Sequence, residues 1–156
     1  MDLTTKGVAL IQISTVIDLE KVNNEYPKPS TNKQYPTGIE LVRASMTCTG
    51  SRGNVSGQGR PNLEFGAYVG DIVSFNSAVT SNSSAYTASI YSIQNFSGTR
   101  IFNELGMKGD SIELKVQNYG MTILMLLFGI YTKDDSGKPK DLIGCFYFDP
   151  SITIQS

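Results

Sequence analysis

The stretch SIELKVQNYGMTILMLLFGIY, residues 111–131, decides the fold class of this chain. In its first part Ile112, Leu114 and Val116 alternate with polar residues, which is the pattern of a strand with one buried face. The second part, Met121–Tyr131, is apolar on both faces and predicts a central strand covered on both sides. It is about half the ~20 residues needed to cross a bilayer. The stretch therefore predicts a β-rich, soluble protein.

Other segments repeat the strand pattern between turns rich in Gly, Asp and Asn. These candidate strands are Gly7–Ile17, Glu40–Thr47, Leu63–Val69, Asp71–Asn76, Tyr86–Gln94 and Leu142–Phe148. The turn Asp134–Gly137 predicts a hairpin with a connection longer than two residues. Only Asp18–Glu25 has a helical pattern, with Asp18 as its cap and Pro27 and Pro29 beyond its end. Residues 1–156 are therefore predicted to form one all-β domain, an antiparallel β-sandwich of about eight strands with one short helix.

The composition excludes several kinds of chemistry. The 156 residues include 13 Lys and Arg, 14 Asp and Glu, and no His, for a formal net charge of −1. Without His there is no Ser-His or Cys-His nucleophile pair, no His-ligated metal and no imidazole proton shuttle. The near-neutral charge argues against nucleic acid or an anionic membrane as a partner. We therefore expect a protein that is not an enzyme, with no nucleic-acid and no membrane partner.

The cysteines and the N-terminal sequence bear on the compartment. Cys48 and Cys145 both lie in segments with a strand pattern, which favours two reduced, buried thiols; a disulfide between them is the alternative. The apolar run Val8–Ile17 is interrupted by polar residues, and no small-residue cleavage site of a signal peptide follows it. We therefore expect a cytoplasmic protein.

The longest irregular stretch, Thr49–Pro61, is either a functional loop or a plain connection. Its glycines match neither the dinucleotide-binding nor the phosphate-loop pattern. The polar side chains of this loop, together with dispersed carboxylates, form the candidate ligand-binding set. The set comprises Arg52, Asn54, Gln58, Asp18, Asp71 and Asp149.

A metal site is not predicted from the spacing of the acidic residues. Counted from Asp134 as a calcium loop, the twelfth position is Cys145 rather than Glu, and Gly137 is fourth rather than sixth. Scattered carboxylates would ligate calcium only if the fold brought them together, which spacing does not show. No metal ligand, no cofactor and no catalytic residue is assigned.

Several short blocks, in order along the chain, resemble the AidA/PixA inclusion body proteins of bacteria. They are Asp18–Glu20, Tyr26–Ser30, Pro36–Ile39, Cys48–Gly53, Val55–Gly59, Val69–Phe75 and Phe146–Ile152. The resemblance implies a protein that accumulates in cytoplasmic inclusions in late growth, often under population-density control, in bacteria that live with animal or plant hosts. It carries over no enzymatic activity.

These observations leave three functional hypotheses. The first is a non-enzymatic protein whose partner is itself, as a homo-oligomer or an inclusion lattice, because a chain of little net charge repels its copies weakly. The alternative is a lectin-like, carbohydrate-binding module whose polar loops contact glycans. A hydrolase that uses two carboxylates is the third, although no pair of acids lies in a supporting motif.

Overall fold

A computed structural model describes residues 7–156, except for the side chains at positions 104, 105, 107 and 108. In this part of the chain thirteen strands, one α-helix and one 3-10 turn follow one another. They are β1 (Leu10–Ile17), α1 (Leu19–Glu25), β2 (Thr37–Gly38), the 3-10 turn (Leu41–Arg43), β3 (Ala44–Thr49), β4 (Arg52–Ser56), β5 (Asn62–Gly66), β6 (Ile72–Asn76), β7 (Ala78–Val79), β8 (Tyr86–Gly98), β9 (Phe102–Lys108), β10 (Ser111–Val116), β11 (Gly120–Lys133), β12 (Pro139–Phe148) and β13 (Ser151–Gln155).

The first sheet has five strands in the order β3-β1-β6-β10-β9. β1 runs parallel to β6 and antiparallel to β3, so that Ile13 lies between Cys48 and Phe75. Its alternating apolar residues point into the core, as the sequence pattern predicts. The opposite face of this sheet carries the polar residues of the same strands.

The second sheet is built around β11. One edge of β11 pairs with β8, and the other edge pairs first with β13 and then with β12. β12 and β13 therefore act as one strand interrupted at Asp149-Pro150. β2 and β5 add to them in parallel, β4 pairs with β5, and β7 pairs with β8.

The core lies between the two sheets and is dominated by aromatic rings of the second sheet. Phe128 stacks on Phe146 with ring centroids 5.7 Å apart and meets the edge of Phe148 at 6.3 Å. The outer face of β11 is covered as well, since Leu127 is only 4% exposed. The segment 29–36 lies beside it, held by the Tyr91 hydroxyl, which donates to the carbonyl of Lys33 at 2.9 Å. The prediction of a central strand covered on both sides is confirmed for Leu126–Ile130, whereas Met121 at the start of the predicted segment is 46% exposed.

Backbone hydrogen bonds join the two sheets at two places. Thr80, which follows β7 of the second sheet, bonds to Thr15 and Ile17 of β1. The other junction lies along β3. The N–H of Met46 in β3 donates to the carbonyl of Arg60, and the N–H of Gly59 donates to the carbonyl of Met46. These bonds connect the first sheet to the segment that leads into β5. On the opposite side, no strand pair joins β8 to β9 within residues 7–156, and the sandwich is open there.

The predicted β-sandwich with one short helix is confirmed, as is the role of Asp18, whose carboxylate accepts the N–H of Lys21 at 3.2 Å. Cys48 and Cys145 are buried free thiols, as expected. The structure corrects three details. The sheets are mixed rather than wholly antiparallel, and within residues 7–156 they have thirteen strands rather than the predicted eight. Four of the additional strands have five residues or fewer, and the fifth is β9. The stretch Thr49–Pro61 contains β4 rather than being irregular throughout.

Candidate functional site

Arg52 and Asp71, two residues of the predicted ligand-binding set, form an ion pair with each other. The Nε of Arg52 donates to Oδ2 of Asp71 at 2.7 Å, and Nη2 donates to Oδ1 at 2.9 Å. The guanidinium also stacks on the ring of Tyr68, 4.1 Å from its centroid. The pair ties β4 of the second sheet to the start of β6 in the first sheet.

Asp71 accepts two further hydrogen bonds from the backbone. The N–H of Ala9 donates to Oδ1 at 2.9 Å and that of Tyr68 to Oδ2 at 2.8 Å, while the carboxylate is only 2% exposed. Burial alone raises the pKa of Asp71, but the bonds from Arg52, Tyr68 and Ala9 outweigh it and leave the pKa below its ordinary value. The carboxylate is therefore ionised, and each of its two oxygens accepts two hydrogen bonds from groups of the same protein.

Gln58 closes the free edge of β3 with its side chain. Its Oε1 accepts the N–H of Cys48 at 2.8 Å, and its Nε2 donates to the carbonyl of Cys48 at 2.6 Å. The amide thus replaces a neighbouring strand at the edge of the sheet. Like Arg52, Gln58 is already bonded within the molecule.

The remaining residues of the predicted set lie apart. Asp18 caps α1, and Asn54 is exposed on β4. Asp149 lies at the break between β12 and β13; its Oδ1 is buried without a hydrogen-bond partner among the described residues, and burial raises its pKa. Asp18 and Asp71 flank opposite ends of β1, roughly 30 Å apart at ~3.3 Å per residue.

The structure therefore brings Arg52 and Asp71 together but does not gather the six residues into one site. The assignment of the set to a ligand stays a prediction. Within the described residues no cluster of three or more Cys, Asp or Glu side chains has the arrangement of a metal site. Asp18, Asp71 and Asp149 thus act at separate places.

An uncharged patch occupies part of the outer face of the first sheet, on β3, β1 and β6, and we call it the polar face. Its side chains alternate with core residues on three adjacent strands, so the pleat turns all of them outward. It comprises Gln12, Ser14, Ser45, Thr47, Thr49, Ser74 and Asn76. Glu113 and Lys115 of β10 lie beside it on the same face of the sheet. Gln12 lies in the end row of the polar face, with Thr49 opposite on β3 and Ser74 opposite on β6. The exposed apolar residues Leu10 and Val16 of β1 lie on the same face.

A concave site lies on the outer face of the second sheet, and we call it the tyrosine trough. Its volume is about 440 Å³, and aromatic, apolar and amide side chains line it. The lining residues are Lys33, Gln34, Pro36, Tyr91, Ser92, Gln94, Met125, Leu127 and Tyr147. Burial raises the pKa of Tyr91 to about 12, and the ammonium of Lys33 lies 5.1 Å from its ring centroid, so Tyr91 is neutral and fixed in place.

A second cavity opens between the sheets on the side where β8 and β9 are not joined, and we call it the sheet-edge cavity. Its volume is about 300 Å³. It is lined by Ile93, Gln94, Asn95, Arg100, Phe102, Leu114 and Leu124. These residues come from β8 through β11, so no sequence spacing points to them. The polar face, by contrast, has a sequence signal, because Gln12 and Ser14 alternate with core residues.

No helix among residues 7–156 has the length and apolar character that crossing a bilayer requires. The family model described as "PixA: Inclusion body protein" matches residues 9–109. The chain belongs to this family. The resemblance seen in the sequence blocks is thereby confirmed. By family, the chain is an inclusion body protein.

One solved PixA structure is similar over the whole chain. It is the crystal structure of the inclusion body protein from Burkholderia cenocepacia J2315, with 29% identity, a TM-score of 0.79, and coverage of 99% of this chain and 100% of that one. A cysteine protease inhibitor from Entamoeba histolytica matches with 18% identity over 60% of this chain and 84% of its own, but its TM-score of 0.26 carries no argument. No curated protein matches the sequence.

Proposed function

We propose that this PixA protein assembles with copies of itself into inclusions in the bacterial cytoplasm and catalyses no reaction. The observation that carries this proposal is the polar face, an uncharged surface on three adjacent strands of the first sheet. Membership of the inclusion body family supports it. Density-regulated production and life with a host belong to the same proposal and are supported by the family alone.

The chemistry of the polar face suits contact between identical copies. Short hydroxyl side chains lose little conformational freedom when they are buried, and they carry no charge that must be stripped of water. The formal net charge of −1 adds little repulsion between copies. Copies can therefore approach closely at a low energetic cost.

The size of the polar face sets the strength of each contact. Three strands ~4.8 Å apart and five residues long present a surface of about 15 by 17 Å, or roughly 250 Å². A stable pairwise interface buries ~800 Å² on each partner. One such contact is therefore weak, and an inclusion needs many contacts and a high local concentration of protein. Accumulation late in growth supplies that condition.

The test places a charge on the polar face. Gln12→Lys and Gln12→Glu are compared with Thr31→Lys and Thr31→Glu, since Thr31 is an exposed residue of the segment that crosses the other sheet. Particles in the producing cells are counted by electron microscopy, and association of the purified proteins is followed by light scattering at rising concentration. Circular dichroism confirms that each variant is folded.

Both Gln12 variants should stay dispersed at concentrations where the wild type and both Thr31 variants assemble. An effect of net charge alone would instead give opposite results for Lys and Glu, because Lys moves the net charge toward zero and Glu moves it away. If the Gln12 variants assembled in the same way as the wild type, the polar face would not be the contact between copies. A wild type that forms no particles in cells and no assemblies in solution would contradict the function itself.

A second candidate function, glycan binding, is favoured by the tyrosine trough. Sugars bind where aromatic rings meet amide and hydroxyl groups, because the rings contact C–H faces while the polar groups bond the hydroxyls. Tyr147, Gln34, Gln94 and Ser92 provide these groups on one concave surface. The polar-loop residues Arg52 and Gln58 are a weaker choice, because their donors are bonded inside the protein.

A glycan array, run with and without calcium, tests this candidate. Binding that falls at least about tenfold in Gln94→Ala but not in Asn54→Ala would favour the trough over the polar loop. Binding lost only in Asn54→Ala would favour the loop. Absence of binding on the whole array in both conditions would contradict glycan recognition.

A further inference from the structure

The sheet-edge cavity has an apolar floor that is part of the protein core. Ile93, Phe102, Leu114 and Leu124 line it, and their residues are 5%, 8%, 3% and 2% exposed. The hollow reaches solvent between β8 and β9, where no strand pair closes the sandwich in the described part of the chain. An apolar group that entered here would leave water and contact core side chains.

The rim of the cavity is polar and presents hydrogen-bond donors. Oδ1 of Asn95 accepts the Thr122 hydroxyl at 2.6 Å, which orients the side chain and leaves its amide N–H groups for another partner. The carbonyl of Arg100 accepts Nε2 of Gln117 at 3.0 Å, so the backbone of Arg100 is anchored while its guanidinium stays exposed. None of the described residues that line the cavity is acidic.

The volume sets the size of the apolar part of a ligand. About 300 Å³ is twice the ~150 Å³ of an engineered apolar cavity that holds benzene, so eight to ten carbon atoms fit. A cation and an amide donor at the rim, with no acidic residue among the described residues that line the cavity, favour an anionic head group. From this combination we propose that the sheet-edge cavity binds medium-chain carboxylates, with the acyl chain on the apolar floor and the carboxylate at Arg100 and Asn95.

The proposal predicts how affinity depends on the ligand. Each added methylene tightens binding about two- to fourfold until the chain fills the cavity, because each carries additional apolar surface out of water. The carboxylate form of a chain binds more tightly than the alcohol of equal length, because only the carboxylate pairs with the guanidinium. This binding does not depend on self-assembly, and it is measured at concentrations where the protein is dispersed.

The test uses the full chain with hexanoate, octanoate and decanoate, and with 1-octanol as the uncharged comparison. Titration calorimetry gives affinities, and amide chemical shifts locate the site. Arg100→Gln removes the cation from an exposed side chain, and Arg60→Gln is the matched control, since Arg60 is exposed at the joined side of the sandwich. Ile93→Phe fills the cavity.

Octanoate should bind saturably and shift the amides of Asn95 and Arg100. Arg100→Gln should lower the affinity for octanoate at least tenfold and change the affinity for 1-octanol by no more than about twofold. Arg60→Gln should change neither affinity. Folded Ile93→Phe should bind both ligands more weakly than the wild type. Absence of saturable binding at ~10 mM octanoate, or equal affinity of octanoate for the wild type and Arg100→Gln, would overturn the proposal.

Discussion

Replacement of Asp71 by Asn tests whether the Arg52–Asp71 pair holds the two sheets together. Asn has nearly the same shape, but its amide nitrogen takes the place of one carboxylate oxygen. In the wild type each oxygen accepts two bonds: Oδ1 from Ala9 and Arg52, and Oδ2 from Tyr68 and Arg52. Whichever way the amide is oriented, two of these four bonds are lost and two donors face an N–H group.

The loss of stability follows from the number of hydrogen bonds that the substitution removes. A hydrogen bond to a charged group contributes about 1.5–3 kcal/mol, and two such bonds give roughly 3–6 kcal/mol. The Arg52 side chain is 25% exposed and keeps access to water, so the lower end applies. We expect the free energy of unfolding to fall by about 3 kcal/mol, which lowers Tm by roughly 6–12 °C in a domain of this size.

The pH dependence has a defined sign. Because the pKa of Asp71 in the folded state lies below its ordinary value, its stabilisation is fully present above the ordinary Asp pKa of ~3.9. It is lost as the pH falls through the folded-state pKa. Asn does not titrate. The difference in stability between wild type and Asp71→Asn should therefore be constant from pH 7 to 5 and become smaller at pH 3.

Urea unfolding followed by circular dichroism at pH 7, 5 and 3 measures these differences. Asp135→Asn, in the exposed turn between β11 and β12, is the matched control and should stay within about 0.5 kcal/mol of the wild type. A loss below about 1 kcal/mol at pH 7, or a loss that is the same at pH 3 as at pH 7, would refute the role given to the pair.

Three further changes probe other contacts. Gln58→Ala should cost about 1–2 kcal/mol in urea unfolding and speed hydrogen exchange of the Cys48 amide, because both bonds that close the β3 edge are lost; unchanged exchange would contradict this. Burial raises the pKa of the Cys48 thiol to about 11, so a thiol reagent at pH 8 should label the folded protein at least about a hundredfold more slowly than the protein in urea. Equal rates would contradict it. Gly57→Ala should lower Tm much more than Gly59→Ala. Both glycines have positive φ, but only at Gly57 would a methyl group overlap the Asn62 carbonyl. Similar decreases in Tm for the two variants would show that the overlap is relieved.

The longer strands and the helix are predictable from the sequence because their signals are local. Ile112, Leu114 and Val116 show the strand period, and Asp18 caps the helix at the predicted residue. Five strands are not predicted: β2, β4, β7, β9 and β13. β13 alternates clearly, with Ile152 and Ile154 buried, but it is short and follows directly after the Pro150 break.

Pairing between distant segments accounts for what the sequence does not predict. β4 contains Gly53 and little apolar surface, and it is a strand because β5 pairs with it and Arg52 meets Asp71 from the other sheet. The parallel pairing of β1 with β6 likewise depends on the whole topology. The candidate sites follow the same rule, because Ile93 of the second sheet and Leu114 of the first become neighbours only when the sheets face each other.

The asymmetry between the two sides of the sandwich has a dynamic consequence. Separation of the sheets along β3 breaks the bonds of Met46, Gly59 and Gln58 at once, and near the start of β8 it breaks those between Thr80 and β1. Between the strands β8 and β9 themselves no strand pairing is found among the described residues. Fluctuations of a folded protein concentrate where the fewest contacts must break. We therefore expect hydrogen–deuterium exchange and proteolysis of the folded protein to begin along β8 and β9 rather than along β3.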